Sequence, residues 1–250
     1  MEQNKTRSYI LYAIGEILLV VIGILIALQV NNWNNDLNNQ RIAQDYTELL
    51  LADLRADTTM LQTLIDESLE KHENARKLMR LYHDNVNLFE DTLSVFTAIQ
   101  DIGRTDSPSL RDNTYNDMVN TGSIKLIEDR STVDALMTYY TRNFSDWSDE
   151  YFHRLWREYL PQAIDLLPSD FLEDHVKIII DTNIEIRMEN YVSEANPELP
   201  EEVLSAFREN EEMDFLLKSV SRTHLVHVNF LQRSKDMALE AINHLETRTD

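Results

Sequence analysis

Apolar and polar positions change texture along the chain. From Tyr9 to Val30 the run YILYAIGEILLVVIGILIALQV is apolar almost without a break, with one Glu and no Lys, Arg or Asp. As a helix it extends roughly 33 Å, about one hydrocarbon core. Tyr9 and Tyr12 stand at one end and Trp33 just past the other, where amphipathic rings favour the headgroup layer. The pattern predicts a transmembrane helix over 9–30. Asn31 to Gln40, NNWNNDLNNQ, is polar and Asn-rich. It either leaves the membrane as a short linker or lets one helix run on.

Beyond residue 41 the apolar period is helical. Tyr46, Leu50, Leu54, Leu61, Leu64, Ile65, Leu69, Ala75, Met79 and Tyr82 form one stripe, which predicts a long helix from Ile42 to Tyr82. A short helix follows from Thr92 to Ile102, with Asp91 as N-cap. Arg104 to Asn113 contains Pro108 and reads as a loop. Thr114 to Thr121 is a short helix that Gly122 suits as a left-handed C-terminal residue. Ser131 is expected to cap a second long helix running to Leu160, before Pro161, on the stripe Val133, Met137, Tyr140, Phe144, Trp147, Tyr151, Leu155 and Tyr159. Residues 162–192 read as helical with a break near Pro168, and EANPELPEE as a loop ending at Pro200, a good first-turn residue. A final helix is expected from Glu211 to Thr247. VKIII (Val176 to Ile180) has no partner strand in view, and no internal repeat appears. The expected fold class is all-α: one N-terminal transmembrane helix, then an extramembrane bundle of long helices. The expected divisions are 1–8, a short cytoplasmic N-terminus; 9–30, the membrane helix; 31–40, the juxtamembrane segment; and 41–250, a helical domain.

Orientation follows from the basic residues. Lys5 and Arg7 precede the span, and no further Lys or Arg occurs until Arg41. The positive-inside rule places the N-terminus in the cytoplasm and the remainder outside. A cleaved signal peptide is the competing reading, but ALQVNNWNN offers no A-x-A-like site, which favours an uncleaved signal anchor. Within the span, Leu11, Ile14, Leu18, Val21, Leu25 and Leu28 make a bulky face suited to lipid. The other face holds Ala13, Glu16, Val20, Gly23, Ala27 and Val30. Small residues let helices approach closely, and an acid in hydrocarbon turns toward protein or water. Ala13, Glu16, Val20, Gly23 and Ala27 are therefore the candidate helix-packing residues. Glu16 meets a partner helix or its own copy, joins a proton path, or is a tolerated acid that is neutralised or snorkels to the headgroups beside Lys5 and Arg7.

Composition narrows the function classes. The chain has no Cys and four Gly, against a net charge of −21. No disulfide, thiol nucleophile or Cys-ligated zinc is possible. With two Gly spent in the apolar run, no phosphate-cradling loop can be built. The acidic balance argues against nucleic acid as a partner.

The stretch YAIGEILLVVIGILIALQVNNWNND resembles the N-terminal signature of uncharacterised single-span membrane proteins of Bacteroidetes-type bacteria, known only as a domain of unknown function. The resemblance rests on Tyr12 to Ile17, Val20 to Gln29 and Asn31 to Asn34; a weaker likeness covers TYNDMVNTGSIKLIED (Thr114 to Asp129) and Tyr139-Tyr140. It implies an inner-membrane anchor with a periplasmic helical region, and it carries no catalytic residue.

Candidate chemistry is sparse. His224 and His227 form H-x-x-H on the stripe Met213, Leu217, Val220, Leu231, Ala238, Ile242 and Leu245, and His72 lies on its own helix's stripe. Bundle imidazoles can bind metal, but neither HExxH nor a repeated Glu-x-x-His occurs, and buried neutral imidazoles are the commoner case. Among the aromatics of Tyr139 to Tyr159, Phe152 and Trp156 lie beside the main stripe and are the groove candidates. The acids from Glu194 to Asp214 read as a solvated loop and helix start, without EF-hand spacing. No catalytic residue, cofactor or metal site is expected. The expected role is a non-enzymatic structural or interaction component of the inner membrane, partnered by lipid and by its own copy or another membrane helix. The alternative is a periplasmic sensor or ligand-binding module; with about eight residues before the span, it would signal through a partner.

Overall fold

The computed structural model describes residues 3–90, 92–104, 107–142, 155–167 and 201–247. Among these there is no strand, and the chain is all-α. Helix α1 runs from Gln3 to Asp84 without interruption. Between Gly23 and Gly103 there is neither Gly nor Pro, so no residue breaks the i to i−4 ladder. The Asn-rich stretch, although poor in intrinsic helix propensity, carries the helix on rather than ending it. The helix ends where Asn85 takes the left-handed conformation, φ 56°, which Asn tolerates better than most residues. Arg208 holds the Asn85 side chain.

The other helices are α2 (Thr92–Asp101), α3 (Asn113–Thr121), α4 (Arg130–Tyr140), α5 (Leu160–Asp165), α6 (Glu201–Glu209) and α7 (Met213–Glu246). A 3-10 turn, Ser123–Leu126, follows α3, and a π turn, Leu155–Tyr159, leads into α5. The chain divides into two compact units, Met1–Asp53 with Asp112–Asp134, and Leu54–Arg111 with Ala135–Asp250.

In the first unit, α3 is tied to α1 by two short hydrogen bonds. The Tyr46 hydroxyl donates to Asp117 at 2.5 Å, and the Thr114 hydroxyl donates to Asp53 at 2.5 Å. Tyr115 and Met118 are the buried residues of α3. Gly122 ends that helix with φ 73° and donates its N–H to the Val119 carbonyl. Nothing lies within 4 Å of where a Cβ would stand, so Gly122→Ala isolates the backbone term. We expect it to lower stability by about 1 kcal/mol, with Gly122→Asn milder; equal melting of the two variants and the parent would refute this.

In the second unit, α7 runs antiparallel to α1. The register is marked by Arg55–Glu246 at 2.7 Å, by Ser68–His227 and His72–Ser221, and by Tyr82 donating to the Asn210 carbonyl at 3.3 Å. Ala75, Leu78 and Leu81 of α1 share a core with Val95, Phe96, Ile99 and Ile102 from α2 and its end, with Tyr159, Ala163 and Phe207, and with Met213, Leu217 and Val220 of α7. The expected α7 stripe is buried throughout.

Three expectations about α4 are corrected. Asp129, not Ser131, is its N-cap: the Asp129 carboxylate accepts from the Ser131 and Thr132 hydroxyls at 2.6 and 2.7 Å and from the Thr132 N–H at 2.9 Å. Those bonds, the Ser131 hydroxyl first, hold the carboxyl well below the usual range. The buried face of α4 is also one residue away from the expected stripe. Thr132, Leu136 and Tyr139 are buried, whereas Met137 is 54% exposed. Thr132 and Tyr139 are polar, so that face does not read as apolar in the sequence. Nor does the helix continue to Leu160: it stops at Tyr140, and the Arg142 guanidinium turns onto α7, 4.4 Å over the Phe230 ring. Pro161 sits in the first turn of α5 instead of ending a helix. Phe144, Trp147 and Tyr151, the expected continuation, lie outside the described residues, as do Val176 to Ile180 and Glu194 to Pro200.

Candidate functional sites

The apolar stretch of α1 is the feature that no packing explains. Every side chain from Gly15 to Arg41 is exposed. An 18-residue window of this helix has a mean hydropathy of 1.8, so it is long and apolar enough to cross a bilayer. Single exposed apolar residues are ordinary; a whole apolar helical surface is not. Glu16, Val20, Gly23 and Ala27 all lie in this exposed stretch, and a Cβ at Gly23 would meet nothing within 4 Å. The side chain of Ala13 lies outside the described residues. Sequence spacing places these residues on one helical face; within the chain, nothing described covers that face.

The imidazoles occupy a polar seam between α1 and α7. His224 and His227 are buried, at 1% and 2% exposure. His224 donates from Nε2 to the Ile102 carbonyl at 2.8 Å, which fixes its tautomer. Ser68 Oγ lies 3.0 Å from His227 Nδ1, and Ser221 Oγ lies 2.9 Å from His72 Nδ1. Burial pulls both α7 imidazoles down to about 4, aided for His224 by the Lys71 ammonium and His72, and for His227 by His224 and Lys71. A Ser–His contact is a component of nucleophilic catalysis. Here both partners of the Ser68–His227 contact are buried between helices, and the open depression described below is lined by other residues. The seam joins two helices. Among the described residues, no three of His, Asp and Glu gather as a metal site.

A third polar node went unmarked in the sequence. Asp57, 1% exposed, faces inward from α1. It accepts from the Arg111 N–H at 3.0 Å and from the Tyr139 hydroxyl at 3.0 Å. Burial first, then the Asp57 charge, raises the Tyr139 phenol above its ordinary range. The signal was available, since Asp57 sits three residues after Leu54 and four before Leu61, in register with the apolar stripe.

Of the groove candidates, Phe152 and the Trp156 side chain lie outside the described residues. Directly after them, Arg157, Pro161 and Gln162 line one side of an open depression of about 530 Å³, with Glu212, just before α7, and Phe215 of α7 on the other. Gln162 donates to Glu212 across it at 2.7 Å.

A model described as "Family of unknown function (DUF6090)" matches residues 16–155, more than half of the chain. The chain belongs to DUF6090. No curated protein and no solved structure matches it. The DUF6090 match begins at Glu16, inside the exposed apolar stretch, and takes in α2, α3 and α4. It thus covers Asp57 and the Thr114 to Asp129 region, but not His224 and His227 of α7.

Proposed function

We propose that this DUF6090 protein is a single-span inner-membrane protein of Bacteroidetes-type bacteria with a non-enzymatic structural or interaction role. Lys5 and Arg7 hold the N-terminus in the cytoplasm, and the region beyond residue 41 lies in the periplasm. The observation that carries the reading is the wholly exposed apolar helical surface from Gly15 onward. A soluble protein gains nothing from such a surface, whereas a bilayer solvates it and every backbone group in it is already bonded within the helix. The face with Glu16, Val20, Gly23 and Ala27 meets another membrane helix, and the helices beyond the span present the outer surface.

The test is purification of the full chain in mild detergent, with mass spectrometry of whatever accompanies it, alongside Glu16→Ala. We expect a co-purifying chain or a self-associated form that the substitution weakens by several-fold. A monomer without companions in both preparations would refute the intramembrane contact. The second reading, a ligand-binding module, is favoured by one observation, the depression between Gln162 and Phe215. It predicts a ligand-dependent rise in melting temperature that Phe215→Asp removes.

A further inference from the structure

We propose that the partner of α1 is a second copy of this chain, paired in parallel along the face Val20, Gly23, Ala27, Val30, Asn34 and Leu37. This rests on the membrane-anchor reading and names the partner of that surface. These positions follow one another at alternating steps of 3 and 4 residues, the heptad spacing of a two-helix seam. The seam does not stop at the membrane. Because α1 is one unbroken helix, the same face passes into the Asn-rich stretch, where Leu37 stays 47% exposed outside any lipid.

Among the described residues, nothing packs on this face. In the first unit, α3 bonds to α1 at Tyr46, and the nine residues from Leu37 to Tyr46 turn the helix by about 900°, half a turn out of phase. The seam therefore lies opposite the side that α3 occupies, so a second helix can dock without displacing it. Asn34 selects the occupant. In a parallel pair it takes the seam position at which an Asn meets its own copy, and each amide offers a carbonyl to accept and an NH2 to donate. Against an unrelated apolar helix that amide would be stranded. Copies inserted by one topogenic signal all point the same way, so the parallel arrangement requires no further control. Within the lipid, Gly23 and Ala27 allow the close approach by which membrane helices associate.

The chain has no Cys, so single-Cys variants report without background. Asn34→Cys and Leu37→Cys lie on the seam; Asn32→Cys and Asn39→Cys lie on the opposite side of the same exposed helix. In native membranes treated with mild oxidant, we expect disulfide-linked dimers at 34 and 37, and several-fold less at 32 and 39, because Cα atoms more than about 7 Å apart are not bridged. Equal cross-linking at all four positions, no cross-linking, or conjugates to a different protein, from a chain that resists alkaline extraction, overturns the pairing and leaves the anchor standing. A chain released by alkaline extraction overturns both.

Discussion

Asp57→Ala is expected to lower the melting temperature of the detergent-solubilised protein by roughly 5–15 °C, since it costs about 2–4 kcal/mol and each kcal/mol moves a chain of this size about 2–4 °C. The substituted helix loses little by itself, because Ala is the best helix former. The cost arises at the partners. The Tyr139 hydroxyl is wholly buried and would be left without the carboxylate to which it donates. The Arg111 N–H loses both of its contacts to Asp57, at 3.0 and 3.3 Å, although that residue is exposed and water can replace part of the loss. Tyr139→Phe removes one donor and keeps the packed ring, so its effect should be about half as large. Asp57→Asn retains one acceptor oxygen and should fall between the two. The ranking Ala, Asn, Phe in decreasing damage is the informative result. If Asp57→Ala melts with the parent, the node is a bystander.

The residues around Asp57 also show where the sequence was legible. The α7 stripe from Met213 to Leu245 is apolar at almost every inward position, and it is buried as its period requires. His224 and His227 fall on that stripe and are buried with it. The errors occur where an inward position is polar. On α1 the expected stripe passes through Leu69, which is 42% exposed, while its neighbour Ser68 is buried against His227. On α4 it passes through Met137, while Thr132 and Tyr139 face inward. Hydrophobic pattern ranks positions by side-chain type, so a polar residue that faces inward toward a polar partner, as Ser68 does to His227 and Tyr139 to Asp57, is read as solvent-facing. His224 could be placed on a buried face, but the Ile102 carbonyl that accepts from it could not be named. The exposed apolar stretch of α1 is the opposite case. It was plain in the sequence because nothing within the chain is needed to explain it.

Acid should loosen the seam between α1 and α7 before it affects the carboxylates. Both α7 imidazoles are held at about 4 in the folded chain, against about 6.5 when exposed. Between those values the unfolded chain binds protons that the native one refuses, so stability is complete above pH ~6.5 and falls as the pH drops toward ~4. Each imidazole contributes up to about 1.4 kcal/mol per pH unit in that window, or about 3 kcal/mol across it. The charge of the whole chain acts with the opposite sign. At −21, protonating carboxylates relieves self-repulsion, but few carboxylates titrate above pH ~5. The interval from pH 6.5 to 5 therefore isolates the histidines. We expect the melting temperature to fall by several degrees across it. The double variant His224→Gln, His227→Asn keeps a donor near each Nε2 or Nδ1 position and removes the titration. It should melt lower at pH 7.5 through imperfect packing, yet show a nearly flat profile from 6.5 to 5. An equal slope in parent and variant would assign the acid sensitivity to other groups.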